Sequence, residues 1–385
     1  MRFADNRSKI GKYIPAVVFL IFIYGMALWF LFSPKTDYSS SEKRYLQKFP
    51  DANVEKVLSG DFGSEFETFF ADQFPQRNTW VGLNAYTALA EGNNGASGVY
   101  NCKNGYLINK PVSTDNNLDK NVGAVVDFAK IIDAPTTVML VPSTGYIADD
   151  VLPTFHDKYN DDEDISRISS TLSKEKIGFV DLRERFKSEY KNGSQLYYKT
   201  DHHWTTKGAY TGYQELCKAL GITPIDDSTL KKDSYPDFYG TTYSSSGFWL
   251  TPPDNIEIWS NPKNSDKNIS VKITEGANVK TSGSMYFTDH LKEDDKYPVF
   301  IDGNHALTEI TNTNAKNGTI LLIKDSFSHS LAPFLAENYS KVVLVDLRYY
   351  KESVSQLVST YNPEQVVMLY GIDNLATDTD IVWLK

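Results

Sequence analysis

A run of compact apolar segments, alternating with helix-length amphipathic stretches, sets the architecture of this chain. Thr136 to Val141 reads Thr-Thr-Val-Met-Leu-Val and stops at Pro142 and Ser143. Gly178 to Leu182, Gly318 to Lys324, Lys341 to Leu347 and Gln365 to Tyr370 are further strand-length runs. Helical patterns cover Leu118–Ile131, Ile165–Leu172, Thr205–Leu220 (with Gly221 placed to stop it) and Glu352–Tyr361, and another follows Ser326 as far as Tyr339. Such alternation predicts an α/β fold: a mostly parallel sheet with helices on both faces. Ligands of such sheets bind beyond the carboxyl ends of the strands. Ser143, Asp201, His203, Ser326, Arg348 and Asn374 all fall at such ends.

Residues of about 222–315 break this rhythm. They are rich in Asn, Asp, Ser, Gly and Pro, with short alternating runs such as Ile256-Glu257-Ile258-Trp259 and Val271-Lys272-Ile273. They predict an inserted β-rich lobe whose long loops shape a groove. Tyr239-Gly240-Thr241 and Gly303-Asn304-His305 are its polar clusters.

The amino-terminal part is of another kind. Arg2, Arg7, Lys9 and Lys12 precede Ile14–Phe32, which contains no charge. As helix that run spans about 28 Å, roughly the hydrocarbon thickness of a bilayer. The basic flank predicts a cytoplasmic N-terminus (residues 1–12), a single-pass anchor over 13–33 and the remainder outside the cytoplasm. A cleaved signal peptide is the alternative, but no small-x-small site follows Phe32. Residues 34–110 then hold a polar stalk, Thr36–Gln47, and a helical region. There Phe62, Phe66, Phe69 and Phe70 mark one apolar face, and Ser64 with Glu67 has the form of a capping box. Gly95–Ile108 reads as short strands around Lys103-Asn104-Gly105. Residues 111–385, the insertion included, are expected to form one large domain.

The formal net charge of −10 excludes a nucleic-acid partner, since phosphate binding needs a basic face. The two cysteines, Cys102 and Cys217, form no metal-type cluster; free core thiols or an extracellular pair are both open.

Chemistry concentrates in Leu196-Tyr197-Tyr198-Lys199-Thr200-Asp201-His202-His203-Trp204. Read as extended chain, this stretch points Asp201 and His203 to the same side. A carboxylate so placed can orient an imidazole, as in a nucleophile–His–Asp triad. Ser326 is the nucleophile candidate, because it lies between a buried strand and a helix whose free N–H groups favour an oxyanion. Asn374 or Asn304 could add amide donors. Spacing alone leaves two other readings open. The histidines could be hydrogen-bonded core imidazoles. Asp201, His202 and His203, with His305 or His329, could instead hold a metal ion, although adjacent histidines on extended chain face opposite ways. His156 and His290 stand in no motif and are expected to be solvated.

Asp201-His202-His203-Trp204, preceded by Tyr-Lys-Thr, resembles the signature of the DHHW family, bacterial envelope proteins similar to the SGNH-like acetyltransferases of alginate O-acetylation. Asp72-x-Phe74-Pro75-x-Arg77, Lys103-Asn104-Gly105-Tyr106-Leu107, Val141-Pro142-Ser143, Tyr239-Gly240-Thr241, Gly303-Asn304-His305 and Lys324-Asp325-Ser326 resemble its other motifs. The resemblance implies an SGNH-like (Rossmann-like) fold with a circularly permuted motif order, the acid–histidine element preceding the serine. It maps the base to His203, the acid to Asp201 and the nucleophile to Ser326. It also implies an O-acetyltransferase acting on an envelope polysaccharide, without cofactor or metal, beside a multi-pass membrane O-acyltransferase that supplies the acyl group. A deacetylating esterase and a non-catalytic glycan-binding scaffold remain alternatives. Asn304, Asn374, Tyr239, Arg348 and Trp204 are the oxyanion or substrate-binding candidates, and Phe248 and Trp249 are further groove candidates.

Overall fold

A computed structural model describes residues 3–113 and 116–384, with side chains throughout except at 3–10, 116 and 383. Met1 and Arg2 of the basic flank therefore lie outside the described residues. The chain divides into two compact units, 1–87 and 88–385.

The first unit opens with a helix, Phe3–Phe32, whose segment Gly11–Phe32 has a mean hydropathy of 2.4 and almost no buried surface. It is long and apolar enough to cross a membrane. The expected stalk is instead a small hairpin, with Tyr38–Ser39 paired to Arg44–Tyr45. Arg44 forks onto the buried Asp72 carboxylate, at 2.9 and 2.5 Å. Helices follow at Val54–Ser59, Asp61–Asp72 and Arg77–Ala90. The Ser64/Glu67 capping box is not used. Gly60, in the left-handed region, caps the second helix four residues earlier, and the Ser64 N–H donates to the Gly60 carbonyl.

The second unit is built on an eight-stranded mixed sheet. Its strands are β1 (Thr136–Val141), β2 (Gly178–Asp181), β3 (Ile269–Glu275), β4 (Asn278–Ser282), β5 (Leu307–Asn312), β6 (Asn317–Lys324), β7 (Tyr339–Val345) and β8 (Gln365–Gly371). Their order is β4-β3-β5-β7-β6-β8-β1-β2. From β7 to β2 the five strands are parallel. Their side chains alternate between two cores: Ile320, Leu322, Val342, Leu344, Val367 and Leu369 face one, and Leu321, Ile323, Val343, Val345, Val366 and Met368 face the other. Helices Thr206–Leu220 and Ser328–Leu335 cover the first face. Asn116–Ile131, Asp161–Lys174 and Val354–Tyr361 cover the second. A strand buried on both faces has no room for polar alternation, which is why these runs read as continuous apolar segments.

The insertion differs from the expected lobe. Three of its strands extend the same sheet antiparallel, β5 pairing with β7. Only Lys231–Phe238 and Asp254–Ser260 form a separate pair. The helix after Ser326 ends at Leu335 rather than Tyr339, because Tyr339 already pairs as the first residue of β7. Gly95–Ala96, Val99–Asn101 and Leu107–Asn109 form a small three-stranded sheet. Cys102 and Cys217 are separate buried free thiols.

Candidate active site

The stretch ending in Trp204 is not extended. Tyr197 bridges Trp204, and the Thr205 N–H closes on the Leu196 carbonyl at 2.8 Å, so Lys199–His203 folds into a tight bend. The bend, rather than strand alternation, pairs acid and base. Asp201 Oδ1 accepts the main-chain N–H of His203 (2.8 Å) and faces His203 Nδ1 at 2.5 Å. Thr241 donates its N–H (2.7 Å) and hydroxyl (3.1 Å) to Asp201 Oδ2. Gly240 makes this approach possible, since a Cβ there would fall 2.1 Å from Asp201 Cβ. Burial would raise the Asp201 pKa. The His203 and His202 charges and these donors outweigh it and hold the carboxyl well below the usual carboxylate range.

Beyond β6, Lys324-Asp325-Ser326 turns into its helix. Asp325 fastens the turn to the end of β8: its carboxylate accepts the N–H groups of Phe327 (2.9 Å) and Gly371 (2.7 Å) and the side-chain amide of Asn374 (2.7 Å). Ser326 is thereby held with its Oγ 2.7 Å from His203 Nε2. Residues 123 positions apart thus meet in one line of hydrogen bonds, Ser326–His203–Asp201.

Two aromatic residues fix the meeting. The Trp204 indole N–H donates to the Phe327 carbonyl and the Ser330 hydroxyl, both at 2.9 Å, tying the histidine bend to the serine turn. Trp204 is fully buried, so it is a core residue and not a groove lining; Phe248 is likewise core. Tyr297 stacks on the His203 ring with centroids 3.9 Å apart and planes 11° apart, and its hydroxyl donates to the Ser326 carbonyl at 3.2 Å.

The other candidates are engaged elsewhere. Asn374 is held by Asp325. The Asn304 side-chain oxygen accepts from Arg348, whose guanidinium forks onto Asp346. Asp346 also binds Lys324 at 2.8 Å, and Lys324 reaches His329 Nε2 at 2.8 Å. Lys324 therefore anchors the strand beneath the serine. Half-buried Tyr239 packs at a tilt on Tyr243, which in turn packs on Trp249. His305 bonds Glu275, and His290 bonds Glu293 and Asp302 rather than standing free in solvent.

His202 and His203 do not face opposite ways, because the bend sets their rings 3.9 Å apart. Asp201, His202 and His203 bring their ligand atoms within 4.8 Å of one another. The Asp201 oxygens, however, already serve four hydrogen bonds, and His202 Nδ1 lies 2.6 Å from the Thr241 hydroxyl. These donors fit a hydrogen-bonded triad better than an ion. Burial and the His203 charge lower the His202 pKa to about 4, so its ring is neutral at pH 7.

A narrow cleft opens beside this line, lined by Ser143, Tyr159, His202, Phe327, Asp373 and Asn374. On its floor the Ser143 hydroxyl lies 3.1 Å from Asp161 Oδ2 and 3.1 Å from Asp373 Oδ1. One hydroxyl proton cannot serve both carboxylates. Burial, followed by the Asp161 charge, pushes Asp373 up to about 7; burial pushes Asp161 up to about 6. Sequence spacing singled out Ser143 but not these acids or Tyr297; the Thr241 cluster was visible without its role.

A family model described as "DHHW protein" matches residues 109–345, more than half of the chain. The fold is similar to that of a DHHW family protein from Eubacterium siraeum, at 16% identity and a TM-score of 0.63, covering 75% of this chain and 95% of that one. It is also similar to Bacillus cereus PatB1, at 21% identity and a TM-score of 0.61, covering 73% and 98%. The structure of PatB1 with a sulfonyl adduct gives 20% and 0.60, covering 74% and 97%. No curated protein matches the chain. Sequence signature, matched family model and shared fold together place this chain in the DHHW protein family.

Proposed function

We propose that the chain is a membrane-anchored O-acetyltransferase of SGNH-like type that modifies a cell-envelope polysaccharide through an acyl-Ser326 intermediate. The observation that carries this reading is the hydrogen-bond line from Ser326 Oγ through His203 to Asp201. In the first half-reaction Ser326 Oγ bonds to the donor's carbonyl carbon while His203 Nε2 takes the hydroxyl proton. Asp201, on Nδ1, fixes the tautomer and balances the imidazolium charge. Collapse breaks the bond from the acyl carbon to the leaving group, which receives the proton from His203. In the second, a sugar hydroxyl gives its proton to His203 and attacks the acyl carbon; the bond from that carbon to Ser326 Oγ breaks, and Oγ takes the proton back from His203. The N–H of Ser326, at the mouth of the turn, is the oxyanion donor we assign; that of Phe327 is taken by Asp325. Trp204, Tyr297 and Phe327 enclose the pair and favour transfer over hydrolysis by excluding water.

The acid–histidine bend precedes the serine strand, which is the order of a circularly permuted SGNH arrangement. The apolar helix Gly11–Phe32 supports a single-pass anchor with a cytoplasmic N-terminus and the catalytic unit outside. A multi-pass O-acyltransferase is the partner we assign as acyl source.

The test uses the detergent-solubilised full chain with p-nitrophenyl acetate, with and without oligosaccharide acceptor. Acetylated sugar is the expected product. Free acetate alone would make the protein an esterase, and no turnover at all would leave the scaffold reading. PatB1 is known with a sulfonyl adduct, and a sulfonyl fluoride is the probe for Ser326 here. Labelling that survives in Ser326→Ala would remove the assignment.

A further inference from the structure

The short helix Val54–Ser59 contains no buried residue, yet three of its six side chains are apolar. Val54, Val57 and Leu58 are 76%, 57% and 82% exposed and stand on one face at helical spacing. Six residues are too few for a helix to hold in water by its own hydrogen bonds. Its internal supports are the Asn53 side chain capping the Lys56 N–H, left-handed Gly60 at its end, and an ion pair from Lys56 to Glu65 of the next helix. None of these covers the apolar face. Exposed phenylalanines follow along Asp61–Asp72, where Phe66 and Phe70 are 39% and 43% exposed, and Phe49 is exposed at 62%. Phe49 packs against Phe66 and Phe69.

What lies against this surface follows from where the second helix is fastened. Phe30, in the last turn of the apolar helix, packs on Phe69 at 6.0 Å and on Phe70 at 4.7 Å. If Gly11–Phe32 crosses a bilayer, Phe30 lies at its outer boundary, and the helix gripping it lies there too. We propose that Val54–Ser59 and Asp61–Asp72 form an amphipathic collar in the outer membrane interface, with Phe49, Val54, Val57, Leu58, Phe66 and Phe70 inserted among lipid headgroups and upper acyl chains. This rests on the anchor reading above. Charged residues on the remaining surface, Glu55, Asp61 and Glu67, are exposed, as suits the water side of an interfacial helix.

The experiment places a photo-crosslinking amino acid at Leu58 or, as a control, at Ser64, on the far side of the second helix from its phenylalanines. The full chain is reconstituted into phosphatidylethanolamine–phosphatidylglycerol vesicles and irradiated. Lipid adducts at position 58, at least tenfold above those at 64, are expected. Equal yields at both positions, or no lipid adduct at 58 in a chain that resists alkaline carbonate extraction, overturn the collar and leave the anchor standing. Release of the chain by carbonate takes down both.

Discussion

Tyr297 lies flat on the His203 imidazole, with ring centroids 3.9 Å apart and planes inclined by 11°. The imidazole is thus fixed on three sides: Asp201 at Nδ1, Ser326 at Nε2 and a tyrosine ring on its face. A stacked aromatic pair contributes about 0.5–1.5 kcal/mol beyond its buried area. Tyr297→Leu should therefore lower kcat by up to about tenfold with KM little changed, since a loosened ring samples poor geometry. Tyr297→Phe keeps the stack and loses the hydroxyl's bonds to the Ser326 carbonyl (3.2 Å) and to the Ser330 hydroxyl (3.4 Å), so it should stay near the parent. Equal losses in both variants would mean that the hydroxyl, not the ring, matters.

The acid should be less replaceable than its size implies. Asp201 accepts from His203 on one oxygen and from Thr241 on the other. In Asp201→Asn the amide NH2 must face one of these donors, so either the imidazole or the loop at Thr241 loses its partner. A loss in kcat of roughly 10³–10⁴ is expected, by analogy with other triads. Ser326→Ala should abolish turnover while leaving the thermal midpoint within a few degrees. Ester hydrolysis unchanged in either variant would refute the assignment.

What the sequence disclosed about this site, and what it hid, follows contact distance along the chain. Thr136–Val141 is legible to the residue because a strand buried on both faces must be apolar throughout. Helix Thr206–Leu220 is legible because Thr205 caps it through the Gly208 N–H and Gly221 ends it in the left-handed region. Ser326 and His203 could be named separately from their places at turns. Their pairing could not be read from spacing, because it depends on the bend at Lys199–His203 and on Trp204 reaching the serine turn. Tyr297 was silent: it opens a single 3₁₀ turn, Tyr297–Val299, where nothing local marks a ring that stacks on a distant imidazole. The insertion was misjudged for a related reason. Alternation identifies Ile256–Trp259 and Val271–Ile273 as half-polar runs without saying which sheet they join.

The cleft floor sets a pH dependence of stability. Asp161 and Asp373 are raised in the folded chain to about 6 and about 7, against about 3.9 for an aspartate in unfolded chain. Between those limits the folded state holds protons that the unfolded state releases. Their contribution is complete below about pH 4 and is lost as pH rises through 6 and 7. Asp201 works in the opposite sense, but its carboxyl is ionised in both states above about pH 5. His202 and His329, neutral in the folded chain, work the opposite way up to about pH 6.5. The urea midpoint should therefore fall between about pH 6.5 and pH 8. In Asp373→Asn, which removes one of the two raised carboxyls, the fall should be shallower. Parallel curves for the two proteins would show that Asp373 does not titrate in this range.

The ion pair beneath the serine should respond unequally to loss of its two ends. Lys324 is 1% exposed and Asp346 fully buried, and they meet at 2.8 Å. Asp346 also holds the Arg348 fork, at 2.8 and 2.6 Å. Lys324→Met leaves the carboxylate with a cation, so its cost should lie near the lower end of the ~3–5 kcal/mol typical of breaking a buried pair. Asp346→Asn strands a buried ammonium whose other neighbour is His329, a ring kept neutral by burial and by Lys324 itself. That variant should cost more, toward about 5 kcal/mol, and should lose esterase activity as the strand carrying Ser326 loosens. Urea unfolding at pH 7 with unchanged m-values measures both. An Asp346→Asn protein as stable as Lys324→Met would mean that Lys324 escapes to solvent, and that the pair does not fasten the serine turn.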